Sequence, residues 1–130
     1  MEFKVNTGKR EEIVDITDYV EKIVRENSDK KSKACLVFVK HTSASIVLNE
    51  NYDKKIEEDL LDYLRKHIPK GKWKHDVVDG NGDSHIKAAI IGANEIIPIE
   101  NKELLLGQWQ NIGLIEFDGP RERTVIVKVI

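Results

Sequence analysis

The sequence predicts an α+β domain, with helices packed on one side of a mostly antiparallel β-sheet or sandwich. Three observations carry this expectation. The last segment, TVIVKVI, alternates apolar and polar residues as a half-buried antiparallel strand does; the stretch after Asp53 carries an amphipathic helical stripe; and everything beyond Gly92 reads as consecutive strands. The 130 residues fit one domain spanning 1–130, and an apolar fraction of 40% supplies a core without disulfides.

Taken in order, Glu2 to Asn6 alternates as a strand. In DITDYVEKIVREN, Asp15 or Thr17 can cap a short helix whose apolar face is Tyr19, Val20, Ile23 and Val24. Ser28 to Lys33 is a polar connection rich in lysine. From Ala34 to Lys40 the run ACLVFV is too continuous and too β-branched for a surface helix, so it predicts a buried strand ending at His41. HTSAS leads into a second short strand, IVLN. Asp53 then opens the clearest helix, with Ile56, Leu60 and Leu64 spaced four apart and Leu61 and Ile68 widening the stripe. Pro69 and Gly71 end that helix, and His67 in its last turn offsets the negative end of the dipole. Lys72 to Asp83 is irregular. A further helix runs to Ile91, capped by Asp83 or Ser84 and closed by Gly92. The strand NEIIPIE follows, then a turn near Asn101, a long β run from Leu104 to Phe117, a turn at Asp118-Gly119-Pro120 and the final strand.

Charge narrows the partners. The 21 basic and 23 acidic residues are interspersed and sum to −2, so no basic footprint for nucleic acid or an anionic membrane is present, and small molecules or further copies of the chain are the expected partners. The single cysteine, Cys35, lies in the apolar run and reads as core. The opening MEFKVNTGKR holds no apolar stretch of the signal-peptide kind, which gives a cytoplasmic expectation.

Three of the four histidines stand where apolar segments join: His41 in HTSAS, His75 in KWKHD and His85 in DGNGDSHI. Neutral imidazoles among polar neighbours suit a metal ion or acid/base chemistry, although each can equally cap a turn or make one buried hydrogen bond. Asp76, Asp83 and Glu50 stand near them in sequence as orienting or ligating carboxylates. HTSAS gathers hydroxyls that either hold phosphate oxygens or stabilise a turn; a serine nucleophile lacks the GxSxG setting. DGNGDSHI leads into a helix N-terminus without the spacing of a Walker loop, and its aspartates suit a cation better than a phosphate. In EFDGPRER, Arg121 and Arg123 alternate on one face and either grip a phosphate or carboxylate or form a surface salt-bridge cluster. Trp109 in GQWQ is either core packing or the wall of an aromatic site.

Together HTSAS, NEN at 49–51, GNGDSH from Gly80, LGQWQ at 106–110 and EFDGPRER at 116–123 resemble the YjbQ-like family, also described as secondary thiamine-phosphate synthase-like. The resemblance covers nearly the whole chain with the motifs in order. Two departures stand out: Asn-Gly-Asp-Ser-His where relatives often have Asn-Ala-Asp-Ala-His, and Gln108 where threonine is more usual. The resemblance implies the YjbQ-like α+β fold, a homotrimer and a site near a subunit boundary. It implies a divalent metal, expected to be zinc, on His41, His75 and His85. It places Glu50, Asp83 and Glu116 as the acids of the chemistry, with Thr42, Ser43, Asn49, Trp109, Arg121 and Arg123 toward the substrate. The expected function is a metal-dependent enzyme acting on a small phosphorylated compound, by analogy a synthase joining a pyrimidine pyrophosphate to a thiazole phosphate with release of pyrophosphate. Magnesium would suit that leaving group better than zinc. The alternatives are a zinc-dependent hydrolase of a small phosphorylated or acyl compound, and a non-enzymatic trimeric protein that binds metal or anions.

Overall fold

A computed structural model describes residues 1–130. Two antiparallel sheets face each other. The larger joins β1 (Glu2–Asn6), β8 (Glu122–Val129), β3 (Ala34–Val39), β5 (Asn94–Glu100) and β6 (Glu103–Leu104) in that order; the smaller joins β2 (Glu12–Asp15), β7 (Asn111–Glu116) and β4 (Ala44–Asn49). Between them Val37, Val39, Ile97 and Val125 of the large sheet meet Ile46, Ile112 and Leu114 of the small one. Helix α1 (Thr17–Asn27) completes this core with Val20, Ile23 and Val24. Asp15 fixes the start of α1, where its Oδ1 accepts from the Thr17 amide at 2.9 Å and hydroxyl at 2.5 Å.

Helices α2 (Lys54–His67) and α3 (Gly82–Ile91) lie against the other face of the small sheet, where Leu61, Leu64 and Ile68 pack with Ala88, Ile115 and Phe117. Strand β7 therefore buries both faces, which accounts for its unbroken apolar reading. The stripe expected after Asp53 is α2, and Asp53 caps it by accepting from the Lys55 amide at 2.9 Å. Cys35 is fully buried, and that burial pushes its thiol up to about 11.

Two local expectations change, and one strand forms where the sequence predicted none. Glu12–Asp15 pairs as an edge strand although it is too short and too acidic to alternate visibly. Asp83 and Ser84 do not cap α3; both are buried inside its first turn, and the cap is Asn81, with Asp76 accepting from the Gly82 amide at 2.8 Å. The expected β run from Leu104 is interrupted, because only two residues pair with β5 before an exposed stretch, Gly107–Gln110, that carries Trp109 outward. No helix is long and apolar enough to cross a membrane.

Candidate functional site

Antiparallel pairing of β4 with β7 matches Ala44 to Glu116 at one end and Asn49 to Asn111 at the other. At the usual rise of a strand the two ends lie about 17 Å apart. This register sorts the sequence-predicted residues into two groups.

The first end gathers the connection His41–Ser43, the close of β7, the start of β8 and the opening of α3. Glu116 is fully buried and ion-paired with Arg123, itself only 2% exposed. The guanidinium grips both carboxylate oxygens, Nε reaching Oε1 at 2.9 Å and Nη2 reaching Oε2. Thr7 donates to Oε1 at 2.7 Å and the Asp118 amide to Oε2 at 3.1 Å. Arg123 Nη2 also donates to the Ser43 hydroxyl at 2.9 Å and carbonyl at 3.2 Å. Gly119 lets the following turn pass directly over this carboxylate, because a Cβ there would collide with Glu116, Thr7 and the Lys9 backbone. The paired arginines of EFDGPRER thus diverge. Arg123 is the buried member of a network, whereas Arg121 is exposed and ion-paired with Asp118 at 3.0 Å.

His41 accepts from the Thr124 amide through Nε2 at 2.9 Å. Burial lowers its pKa, and the neighbouring Arg123 charge pushes the same way against the pull of Glu116, so the ring is held neutral; with Nε2 accepting, its proton sits on Nδ1. His85 Nδ1 lies 3.2 Å from the Thr42 carbonyl, to which it donates, leaving Nε2 as the lone-pair nitrogen. His75, on the short 3-10 turn Lys74–Val77, packs edge-on against His85 with ring centroids 4.8 Å apart, and its Nε2 is 3.6 Å from Asp79. Thr42 is exposed and Ser43 buried.

Asp83 belongs to this end of α3 but faces away from His85. Two residues earlier on the helix, it enters a buried cluster in which Lys87 Nζ meets both Asp83 and Glu11 at 3.0 Å. Arg10 adds a contact to Asp83 at 3.1 Å, and Arg65 binds Glu11 at 2.8 Å. Burial pushes the Asp83 carboxyl up, but the hydrogen bonds and charges of Lys87 and Arg10 outweigh it and hold the group below the ordinary carboxylate value.

The second end holds Asn49, Glu50 and Trp109. Asn49 and Glu50 line a cavity of about 180 Å³ with Asp15, Asn111 and Glu57. Trp109 is 56% exposed and stacks edge-on with Tyr52 at 5.7 Å, so it serves neither as core nor as a wall beside the histidines. Within one chain these three residues are remote from His41, His75 and His85.

The donor set can be judged for a metal. His75 and His85 are adjacent, and a pair of neutral imidazoles fits an ion of the zinc type. His41 has its lone-pair nitrogen, Nε2, engaged by the Thr124 amide and its proton on Nδ1, so it can ligate only by giving up that bond, and no group of three or more histidine, cysteine or acidic side chains is gathered within one chain. The oxygen-rich set that magnesium prefers is not among the three histidines.

Sequence reasoning passed over Thr7, Arg10, Glu11 and Lys87, which lie far in sequence from the groups they hold. A lysine at the fourth position after Asp83 was the one local sign. It also passed over Trp73, although KWKHD puts it two residues before His75.

With this geometry in view, the similarities to known proteins are consistent along the chain. The model of the UPF0047 protein YjbQ-like family matches residues 1–130. A UPF0047 protein from Archaeoglobus fulgidus is 44% identical over the full length of both chains, and one from Methanocaldococcus jannaschii is 41% identical over 98% of this chain and 91% of its own. Among solved structures, a YbjQ-like protein of unknown function from Sulfolobus solfataricus superposes with a TM-score of 0.94 at 40% identity, covering 99% of this chain and 94% of that one. A YjbQ/UPF0047 family protein from Clostridium acetobutylicum does so with a TM-score of 0.94 at 44% identity, over 100% and 99%. The fold is theirs, and this chain belongs to the UPF0047 YjbQ-like family.

Proposed function

We propose that this chain is a metal-dependent enzyme acting on a small phosphorylated compound, with its chemistry at the histidine end of the small sheet. The observation that carries the reading is the His75–His85 pair, with His41 held neutral at the same end of the small sheet. His75 and His85 would hold the ion, expected to be zinc, joined by His41 once its Nε2 gives up the Thr124 amide. When bound, such an ion supplies Lewis-acid polarisation of a phosphoryl oxygen.

The remaining residues divide the work. Arg121, exposed beside the site, recruits phosphate; Thr42 offers a hydroxyl at the surface. Ser43 accepts from Arg123, which leaves its own proton free to donate to a substrate oxygen. Glu116 has both oxygens occupied and acts by holding Arg123 and Ser43 in place, while Asp83 anchors α3 and with it His85. Asn49, Glu50 and Trp109 reach a substrate only from a neighbouring copy. The homotrimer is therefore part of this proposal, and the uncovered outer face of the large sheet, with Leu36, Phe38, Ile96 and Ile126, favours association.

Within this class the reaction that the family resemblance suggests is the union of a pyrimidine pyrophosphate with a thiazole phosphate, with magnesium assisting the departing pyrophosphate. The test is product analysis with and without added zinc or magnesium. Pyrophosphate released only when both organic substrates are present supports the synthase. Phosphate released from one substrate and water moves the protein to the hydrolases. Metal bound without turnover on any phosphorylated compound contradicts an enzyme and leaves a binding protein.

A further inference from the structure

We propose that the open pocket beside the His75–His85 pair binds a molecule with a flat, ring-like apolar body and a phosphate-like anionic end, a substrate class that rests on the enzymatic reading above. The pocket encloses about 630 Å³, within the range of small-molecule sites. Its charged and titratable lining is Lys72, Lys74, His75 and His85, with no carboxylate among the lining residues. Two ammonium groups and two imidazoles make it favourable for an anion, with Asp79, 3.6 Å from His75 Nε2, outside the lining.

The apolar part is Trp73 with Ile86. Trp73 is fixed from three directions. Its ring N–H donates to the Pro69 carbonyl at 2.7 Å, and its backbone N–H to Asp76 Oδ2 at 3.0 Å. Gly82 lies so close that a Cβ there would stand 2.7 Å from the Trp73 Cβ, so a glycine at this position is what lets the indole seat against the start of α3. The ring stays partly exposed to the pocket. A half-exposed aromatic face locked by hydrogen bonds loses little freedom when a flat ligand stacks on it. Asp76, the nearest carboxylate in sequence, is consumed by the backbone amides of Trp73 and Gly82, which hold its pKa below the ordinary value and leave its oxygens engaged away from a ligand. Trp73 is thus the aromatic wall that the chain itself supplies to the histidine site.

The test uses the full chain without metal, with phenyl phosphate and inorganic phosphate as probes, following the histidine ring signals by NMR and affinity by calorimetry. Phenyl phosphate is expected to shift the His75 and His85 signals and to bind roughly tenfold tighter than inorganic phosphate. Trp73→Ala removes that advantage, Trp73→Phe keeps most of it, and Tyr19→Ala, at an exposed aromatic on α1, leaves it unchanged. Exchanging both lysines, Lys72→Glu with Lys74→Glu, weakens both probes by about tenfold or more. Equal affinity for the two probes, an advantage that survives Trp73→Ala, or unshifted histidine signals overturns the proposal. Should Trp73→Ala fail to fold, the phenylalanine and lysine variants decide alone. Because metal is excluded, a failure here is separate from a failure of the metal-dependent reading, which turns on ion retention.

Discussion

The two ends of the β4–β7 pair are built differently. At the Ala44–Glu116 end, the Glu116–Arg123 pair is buried and pinned by hydrogen bonds with Thr7, Ser43 and Asp118, and the partly exposed Trp73 is held by two more. At the Asn49–Asn111 end, Glu50, Tyr52 and Trp109 stand exposed around a small cavity. Both ends carry polar residues in sequence, but only one is preorganised. Binding and catalysis gain when groups are already held in place, because ordering is then not charged to the ligand. That contrast, more than the residue types, locates the site.

The largest expected effect comes from breaking the rigid end at its centre. Arg123→Met leaves Glu116 charged and buried, and costs about 3–5 kcal/mol of stability in urea unfolding. Lys87→Met should cost less, on the order of 1–3 kcal/mol, because Arg10 and Arg65 remain on Asp83 and Glu11. A cost near zero for Arg123→Met would mean that the buried pair does not organise this end.

Acid should also find the rigid end first. His41 has a lowered pKa in the folded chain, so below about pH 6.5 the unfolded chain takes up a proton that the native ring refuses. Stability therefore declines from about pH 6.5 downward until the folded value is passed. His41→Gln, whose amide oxygen can accept the Thr124 N–H, should flatten that part of the profile, as read from urea midpoints at successive pH values. Asp83 works in the same direction at lower pH: its depressed pKa gives stability that is full above about pH 3.9 and is lost as pH falls through the folded value.

The smallest effects belong to the open end. Glu50→Gln and Trp109→Ala should each stay within about 0.5 kcal/mol of the parent in the same assay. A loss of several kcal/mol at either would erase the contrast between the ends.

How far the sequence foresaw this follows from what local patterns encode. The helix after Asp53, the buried ACLVFV strand and the Gly92 stop are set by periodicity and turn chemistry within a few residues, and they form as expected. The histidine joins were visible because polar residues interrupt apolar runs. What stayed hidden was pairing across distance. Nothing near Glu116 announces Thr7, and nothing near Asp83 announces Arg10, since these contacts exist only once β1, β7 and β8 are brought together. Trp109 looked like a site wall because its motif is distinctive, yet the chain carries it to the opposite end of β7 from Glu116. Trp73 sat unnoticed within a motif chosen for its histidine.

The central claim is that the histidine end holds a divalent ion, and elemental mass spectrometry of untagged, chelator-free protein tests it most directly. About one zinc-like ion per chain is expected, lost in His41→Ala, His75→Ala and His85→Ala and kept in Glu50→Gln. Protein that retains no ion, or that loses it with Glu50 and not with the histidines, would contradict the account.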